Sequence, residues 1–217
     1  MARPLRIEYP NAWYHVMNRG RRGEDIFSAK EDYEMFVVVL QEAAELFCCR
    51  IAAYCLMPNH YHLLVQTPQG NLSRIMRHVS SVYTQRFNRR QQTAGQLFRG
   101  RYKSILVEED SYLLELLRYI HRNPVRAGLS KTVAEYQWSS HKGYVSPAGK
   151  WDWLYRELLL GMFADKPDNT VKAYRQFVQK EDSSEILDFC SSQRPASILG
   201  SEDFVEKIKA EFHELKR

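Results

Sequence analysis

The sequence predicts an α+β fold: an antiparallel sheet with helices on one face, followed by a C-terminal helical extension. Alternating stretches that read as strands are interleaved with helix-period stretches in the order strand, helix, two strands, helix, strand. The last seventy or so residues carry only helical patterns. No internal repeat or long low-complexity tract interrupts the chain.

Each element has a local reason. Ala12 to Arg19 alternates until Gly20-Arg21-Arg22-Gly23 breaks it. Lys30 to Cys48 places Tyr33, Phe36, Val37, Leu40, Ala44 and Phe47 at helical spacing. Arg50 to Met57 and His60 to Gln66 read as two strands joined through Pro58-Asn59. Leu72 to Arg89 is a basic helix, Gln91 to Gly100 a polar loop, and Tyr102 to Val107 a returning strand. Ser111 can cap a leucine-spaced helix. Pro124 disfavours helical geometry at the residue before it, so that helix is expected to end near Arg122 or Asn123. This order is that of a ferredoxin-like layer. In the tail, helices are expected near Trp153 to Phe163, Thr170 to Gln179 and Asp203 to Leu215, separated by Pro167 and Pro195. The chain of 217 residues divides into a domain with a core at 1–145 and a helical extension at 146–217.

Composition excludes several classes. The apolar fraction is 44% and the charged fraction 26%, values of a water-soluble globular chain. The longest apolar runs, Met35 to Leu40 and Leu158 to Leu160, are too short to span a bilayer, and the N-terminus lacks an apolar core of signal-peptide length. No membrane partner is expected. Cys48, Cys49, Cys55 and Cys190 form no C-x-x-C pair and read as buried reduced thiols of a cytoplasmic protein. Cys55, on a different strand face from the histidines if the strand is regular, is a poor ligand candidate.

The formal net charge is +5, unevenly placed: residues 71–130 hold eleven Arg or Lys against four Asp or Glu, and ten of the eleven are arginines. Arg74, Arg77, Arg86, Arg89 and Arg90 recur along the basic helix beside Tyr83 and Phe87. Guanidinium groups suit phosphates and rings suit bases, the combination that holds single-stranded nucleic acid.

Met57-Pro58-Asn59-His60-Tyr61-His62 heads an apolar run. In a strand, His60 and His62 emerge on one face about 7 Å apart at their Cα atoms, a spacing on which two imidazoles can converge on one metal ion. Downstream stands Arg118-Tyr119-Ile120-His121-Arg122-Asn123-Pro124-Val125. Tyr119 and Asn123 lie four apart and share a helix face, so a phenol and an amide can be presented together. His15 can face the sheet surface near the histidine pair. His121 points about 200° around the helix from Tyr119 and suits a DNA or surface role. Tyr83 is a competing nucleophile, but Phe87, four residues on, offers no ligand.

His60-Tyr61-His62 after Met-Pro-Asn, with Tyr119-Ile120-x-x-Asn123-Pro124-Val125, resembles the HUH single-tyrosine transposases, and within them the REP-associated branch. Trp13-Tyr14-His15-Val16-Met17-Asn18-Arg19-Gly20, Phe98-Arg99-Gly100-Arg101-Tyr102-Lys103, and Trp138-Ser139-Ser140 with Tyr144 support the resemblance, which covers roughly residues 5–145. It implies Mg²⁺ or Mn²⁺ held by His60, His62 and Asn123, with Tyr119 as the nucleophile that becomes linked to a 5′ phosphate. It implies single-stranded or hairpin DNA as partner, with Arg99, Arg101, Lys103 and Arg122 joining the helix arginines as DNA contacts, and a monomer or homodimer. The alternative is a retired transposase kept as a hairpin DNA-binding protein. A nucleotide hydrolase with a histidine nucleophile would want a third histidine at position 64, where the chain has Leu64.

Overall fold

The computed structural model describes residues 7–109, 111–163, 170–192 and 196–214. Its elements are β1 (Ala12–Arg19), α1 (Lys30–Phe47), β2 (Arg50–Met57), β3 (His60–Thr67), α2 (Leu72–Gln91), β4 (Lys103–Val107), α3 (Ser111–Arg126), α4 (His141–Val145), α5 (Glu157–Gly161), α6 (Thr170–Gln179), α7 (Ser184–Ser191), β5 (Ile198–Leu199) and α8 (Glu202–Glu214). The sheet runs β2-β3-β1-β4-β5, antiparallel throughout the first four strands, with β5 added in parallel to β4. The α+β class and its strand–helix order stand as the sequence predicts.

Strand register decides what each face carries. Met17 pairs with His62 and Arg19 with His60 across β1 and β3, and Lys103 pairs with Met17 across β4. Directly paired residues share a face, so His60, His62, His15, Met17, Arg19 and Lys103 all stand on one side. Tyr61, Leu63 and Val16 stand on the other. There Phe36 of α1 packs 4.9 Å from the Tyr61 ring and 4.8 Å from Tyr83 of α2, all three nearly free of solvent.

Here the expectation of helices on one face needs correcting. Helices α1 and α2 do share the Tyr61 face, but α3 covers the opposite one, where Tyr119 meets the rings of His15 and His62. Both faces of the inner strands are therefore buried, and β2 and β3 are almost unbroken in burial. The register corrects a second expectation. The hairpin sets Cys55 opposite His62, on the same face, because the chain reverses at Pro58-Asn59 rather than running straight on. Cys55 is enclosed there, its thiol 3.8 Å from the Met57 sulfur. Cys48, read as buried, is exposed at the left-handed end of α1.

The hairpin turn is anchored from outside. Pro58 carbonyl accepts from the Ile26 and Phe27 amides at 2.8 and 2.9 Å, and Asn59 carbonyl from the Gly20 amide at 2.8 Å. Gly20 is required there, because a Cβ would stand 1.9 Å from the Glu24 carbonyl oxygen. The outer edge of β2 is closed by Trp138-Ser139-Ser140: Leu56 amide donates to Trp138 carbonyl and Ser140 amide to Tyr54 carbonyl, each at 2.9 Å. That segment covers the β2 edge from Tyr54 to Leu56.

Helix α3 outruns its predicted end and passes through Pro124 to Arg126. Pro124 withholds the amide that would bond the Ile120 carbonyl one turn back, and the last turn is held by amides beyond it. Asn123 carbonyl accepts from Ala127, Pro124 from Leu129 and Val125 from Gly128, at 2.8–3.1 Å, with Gly128 at φ +70° closing the helix.

In the tail, α6 falls where the sequence places it, α8 begins one residue early, and only Glu157–Gly161 of the Trp153 to Phe163 stretch is α-helical. Helix α7 and strand β5 come in addition to the elements the sequence predicts. Pro167, Pro195 and Leu215 lie outside the described residues. No described helix is long and apolar enough to cross a membrane.

The core on the Tyr61 face should carry much of the stability. Phe36→Ala is expected to cost about 3–5 kcal/mol, the usual range for emptying an aromatic core site. Urea unfolding followed by circular dichroism measures it; a loss below about 1 kcal/mol would contradict this packing.

Candidate active site on the histidine face

His60 and His62 come from one strand, His15 from its neighbour, and Tyr119 and Asn123 from the helix laid across them. The His60 and His62 ring centroids are 5.2 Å apart, those of His62 and Tyr119 5.9 Å, and those of His15 and Tyr119 6.0 Å. His15 Nε2 and His62 Nδ1 share a hydrogen bond of 2.9 Å. His15 is fully enclosed, His62 and Asn123 are buried, and His60 and Tyr119 keep partial exposure.

The tautomer of His60 follows from its surroundings. Asn59 Nδ2 donates to the Gly23 carbonyl at 3.3 Å, so its Oδ1 is the atom 2.7 Å from His60 Nδ1. That oxygen only accepts, so His60 Nδ1 carries the proton and Nε2 presents a bare lone pair. Burial lowers the pKa of His60, and that of His62 further, with His15, His60 and Arg126 acting in the same direction; His15 is pushed down to about 3 by burial. All three imidazoles are neutral at physiological pH, the form that binds metal ions.

Several groups converge on Tyr119. The Arg126 guanidinium lies 3.9 Å above its ring and also donates to its carbonyl at 3.0 Å. Burial, then the Cys190 thiol of α7, push the phenol up to about 12, against the opposite pull of Arg126 and the Asn123 amide. Arg118, Arg122 and Arg126 recur every four residues along α3 and converge on the carboxylate of Asp182. Asp182 lies 3.7 Å from Arg118 and 3.5 Å from Arg122, pairs with Arg126, and has a side chain only 2% exposed.

The basic residues divide. Arg86 pairs with Glu42 at 2.9 Å, and Arg90 with Glu31 and Asp32 at 3.0 and 2.8 Å, so both are engaged in holding α2 to α1. Arg74, Arg77, Arg89, Arg99, Arg101 and Lys103 are exposed and have no ion pair among the described residues. Arg74 lies over Phe47, and with Arg77 it lines a cavity of about 320 Å³. Helix α2 packs on the Tyr61 face, so these two stand across the sheet from the histidines. Lys103 and Arg19 share the histidine face, and the Arg99 amide donates to the Arg19 carbonyl at 2.9 Å. Arg122 is tied to Asp182 and to the Gln179 carbonyl.

Two sequence readings change. Tyr83 is fully buried with its hydroxyl on the Ile26 carbonyl, which removes it as a nucleophile. His121 has neither a surface nor a DNA role, being fully buried in a hydrogen-bonded relay. Its Nε2 lies 2.7 Å from Ser140 Oγ and its Nδ1 2.8 Å from the Tyr174 hydroxyl, which in turn lies 2.6 Å from His141 Nδ1. The relay ties α6 to α3 and α4.

The chain belongs to the IS200-like transposase family, whose profile matches residues 8–123 and so includes the histidine pair, Tyr119 and Asn123. A Haemophilus influenzae protein assigned as a REP-associated tyrosine transposase is 25% identical over 125 residues, 52% of this chain and 71% of that one. The solved structure of a REP-associated tyrosine transposase bound to a REP hairpin shares the fold at a TM-score of 0.55 and 18% identity, over 64% of this chain and 82% of the other.

The family implies a divalent metal ion. Among the described residues no group of three or more His, Cys, Asp or Glu side chains could hold one. The donors would instead be two imidazoles and an amide, and these fit. His60 Nε2 is bare, both imidazoles are neutral, and the Asn123 side-chain nitrogen is a buried polar atom that makes no close hydrogen bond, its one neighbour being the Tyr119 phenol. Rotating that amide by 180° puts its oxygen in the same place.

Sequence reasoning missed Arg126, Asp182 and Cys190. Arg126 is seven residues from Tyr119 on the same stripe, a signal masked by ending the helix before Pro124. Nothing local marks Asp182 or Cys190 as neighbours of Tyr119.

The relay implies a pH dependence. His141, pushed down to about 4 by burial and nearby cations, titrates at 6.5 when unfolded. The unfolded chain therefore binds the extra proton between those values, so stability is intact above about 6.5 and falls as pH drops toward 4. The loss should reach about 3 kcal/mol. Urea midpoints at pH 7.5 and 4.5 test this, with His141→Gln expected to flatten the slope; an unchanged slope in that variant would count against the relay.

Proposed function

We propose that this chain is a metal-dependent single-strand DNA endonuclease and strand transferase, with Tyr119 attacking the scissile phosphate of hairpin DNA. The observation that carries the reading is the seating of the Tyr119 ring about 6 Å from both His15 and His62, with Asn123 one turn further along α3. The hairpin-bound relative of the same fold supports DNA hairpins as the partner class.

His60 and His62, through Nε2, and the Asn123 amide oxygen would hold Mg²⁺ or Mn²⁺. Imidazole and amide donors accommodate Mn²⁺ readily, while Mg²⁺ prefers oxygen and keeps waters. When bound, the ion disperses charge on the non-bridging phosphate oxygens. The phenol oxygen of Tyr119 attacks phosphorus as its proton passes to water. The bond to the 3′ oxygen breaks and that oxygen takes a proton from water, leaving a 5′-phosphotyrosine and a free 3′ hydroxyl. A later 3′ hydroxyl reverses the exchange without ATP, because the phosphodiester energy is retained in the protein linkage. Arg126 stabilises the phenolate as it forms, opposing the burial that holds the proton on. Lys103 and Arg19 flank the histidines on the same face, and Arg99 and Arg101 extend the basic surface along the loop before β4. Arg74, Arg77 and Arg89 serve a second stretch of DNA across the sheet. Residues up to about 145 carry the chemistry, and the extension holds α3 through Asp182.

The test is incubation with labelled single-stranded hairpins and Mn²⁺, resolved on a denaturing gel. Wild type should give a metal-dependent shifted band, absent in Tyr119→Phe, while the double variant His60→Ala, His62→Ala should lose the band and keep most hairpin binding. Tight binding with no band from any hairpin would favour the retired DNA-binding reading.

A further inference from the structure

Resting on the metal site proposed above, we propose that His15 is a positioning residue: it accepts a hydrogen bond from His62 Nδ1–H and so holds the His62 Nε2 lone pair ready for the metal ion.

His62 Nδ1 and His15 Nε2 are 2.9 Å apart, and one proton lies between them. Two neutral arrangements exist. If His15 Nε2–H donates, His62 Nδ1 accepts, its own proton sits on Nε2, and the atom needed for the metal is blocked. If His62 Nδ1–H donates, its Nε2 is bare, and the His15 proton is displaced to Nδ1. Only the second arrangement makes His62 match His60, whose Nε2 is already bared by Asn59.

The surroundings of His15 agree with a role spent on His62. His15 has no solvent exposure, and its Nδ1 is buried without a partner. A ring with one nitrogen orphaned is costly to bury, which an apolar residue at this strand position would avoid. In the second arrangement Nε2 of His15 is taken by the hydrogen bond and Nδ1 by the proton, so neither nitrogen offers a lone pair to a metal ion. Its ring stacks on His62 at 5.1 Å and 23°, and its edge meets Tyr119. His15 therefore fixes both the tautomer and the swing of His62, and it abuts the nucleophile. Outer partners of this kind commonly set metal affinity by 10–100-fold.

The experiment uses the full chain, with ¹⁵N-histidine NMR for tautomers and titration calorimetry with Mn²⁺ alone. Wild type should show His62 protonated on Nδ1 and bind Mn²⁺. In His15→Leu, His62 should shift toward the Nε2–H form that free imidazole prefers, and Mn²⁺ affinity should fall about 10–100-fold. His15→Gln, whose side-chain oxygen can accept the same proton, should keep both, and it covers the case in which the leucine variant does not fold. A wild-type His62 protonated on Nε2, or Mn²⁺ affinity unchanged in His15→Leu, overturns the role of His15 while leaving the metal site standing. Failure of the wild type to bind Mn²⁺ overturns the metal reading and this proposal with it.

Discussion

The pairing of β1 with β3 is the constraint on which the site rests. With Met17 opposite His62 and Arg19 opposite His60, three histidines and two cations come to a single face. Side-chain direction has period two, so a slip of one residue would turn the histidines under α1 and α2 and bring Tyr61 to the site. Burial on both faces resists that slip, because Tyr61 is locked against Phe36 on one side and His62 against Tyr119 on the other. The hairpin adds a second lock, since the segment from Gly20 to Phe27 is bonded to the carbonyls of Pro58 and Asn59. The same Asn59 sets the tautomer of His60. Register, turn and proton position are thus one connected arrangement.

Helix α3 completes the site by electrostatics as much as by packing. Its guanidinium stripe would repel itself in a dry interface, and the buried Asp182 carboxylate offsets part of that charge. Three arginines against one carboxylate, with Glu115 on Arg118 at 2.5 Å, leave residual positive charge beside Tyr119. That balance suits an anionic phenolate or phosphate. The tail supplies Asp182 and Cys190, so the extension is part of how Tyr119 is held in this structure rather than a detached appendage.

Much of the fold was legible because its signals are local. The alternation of β1, the Pro58-Asn59 reversal and the apolar spacing of α1 and α2 each follow from neighbouring residues, and the strand limits came out within a residue or so. The histidine pair, Tyr119 and Asn123 were legible because strand and helix periods place them on common faces. Where reasoning failed, the cause was tertiary. Pro124 ends no helix, because amides of Ala127, Gly128 and Leu129 hold the last turn from beyond it, so the helix gains Arg126. His121 lies deep because Tyr174, more than fifty residues away, comes back to meet it. The arginines of α2 look alike in sequence, yet Arg86 and Arg90 meet α1 carboxylates while Arg74 and Arg77 face outward. No periodicity in one helix reports what the next helix brings.

The central claim is that Tyr119, lying against the histidine face, forms the covalent link to DNA. Mass spectrometry of tryptic peptides after reaction with a single-stranded hairpin and Mn²⁺ tests it directly. A nucleotide adduct mapped to the tyrosine of the Tyr119 peptide, dependent on metal, is the predicted result. An adduct on any other tyrosine, or cleaved DNA with no covalent peptide, would contradict the account.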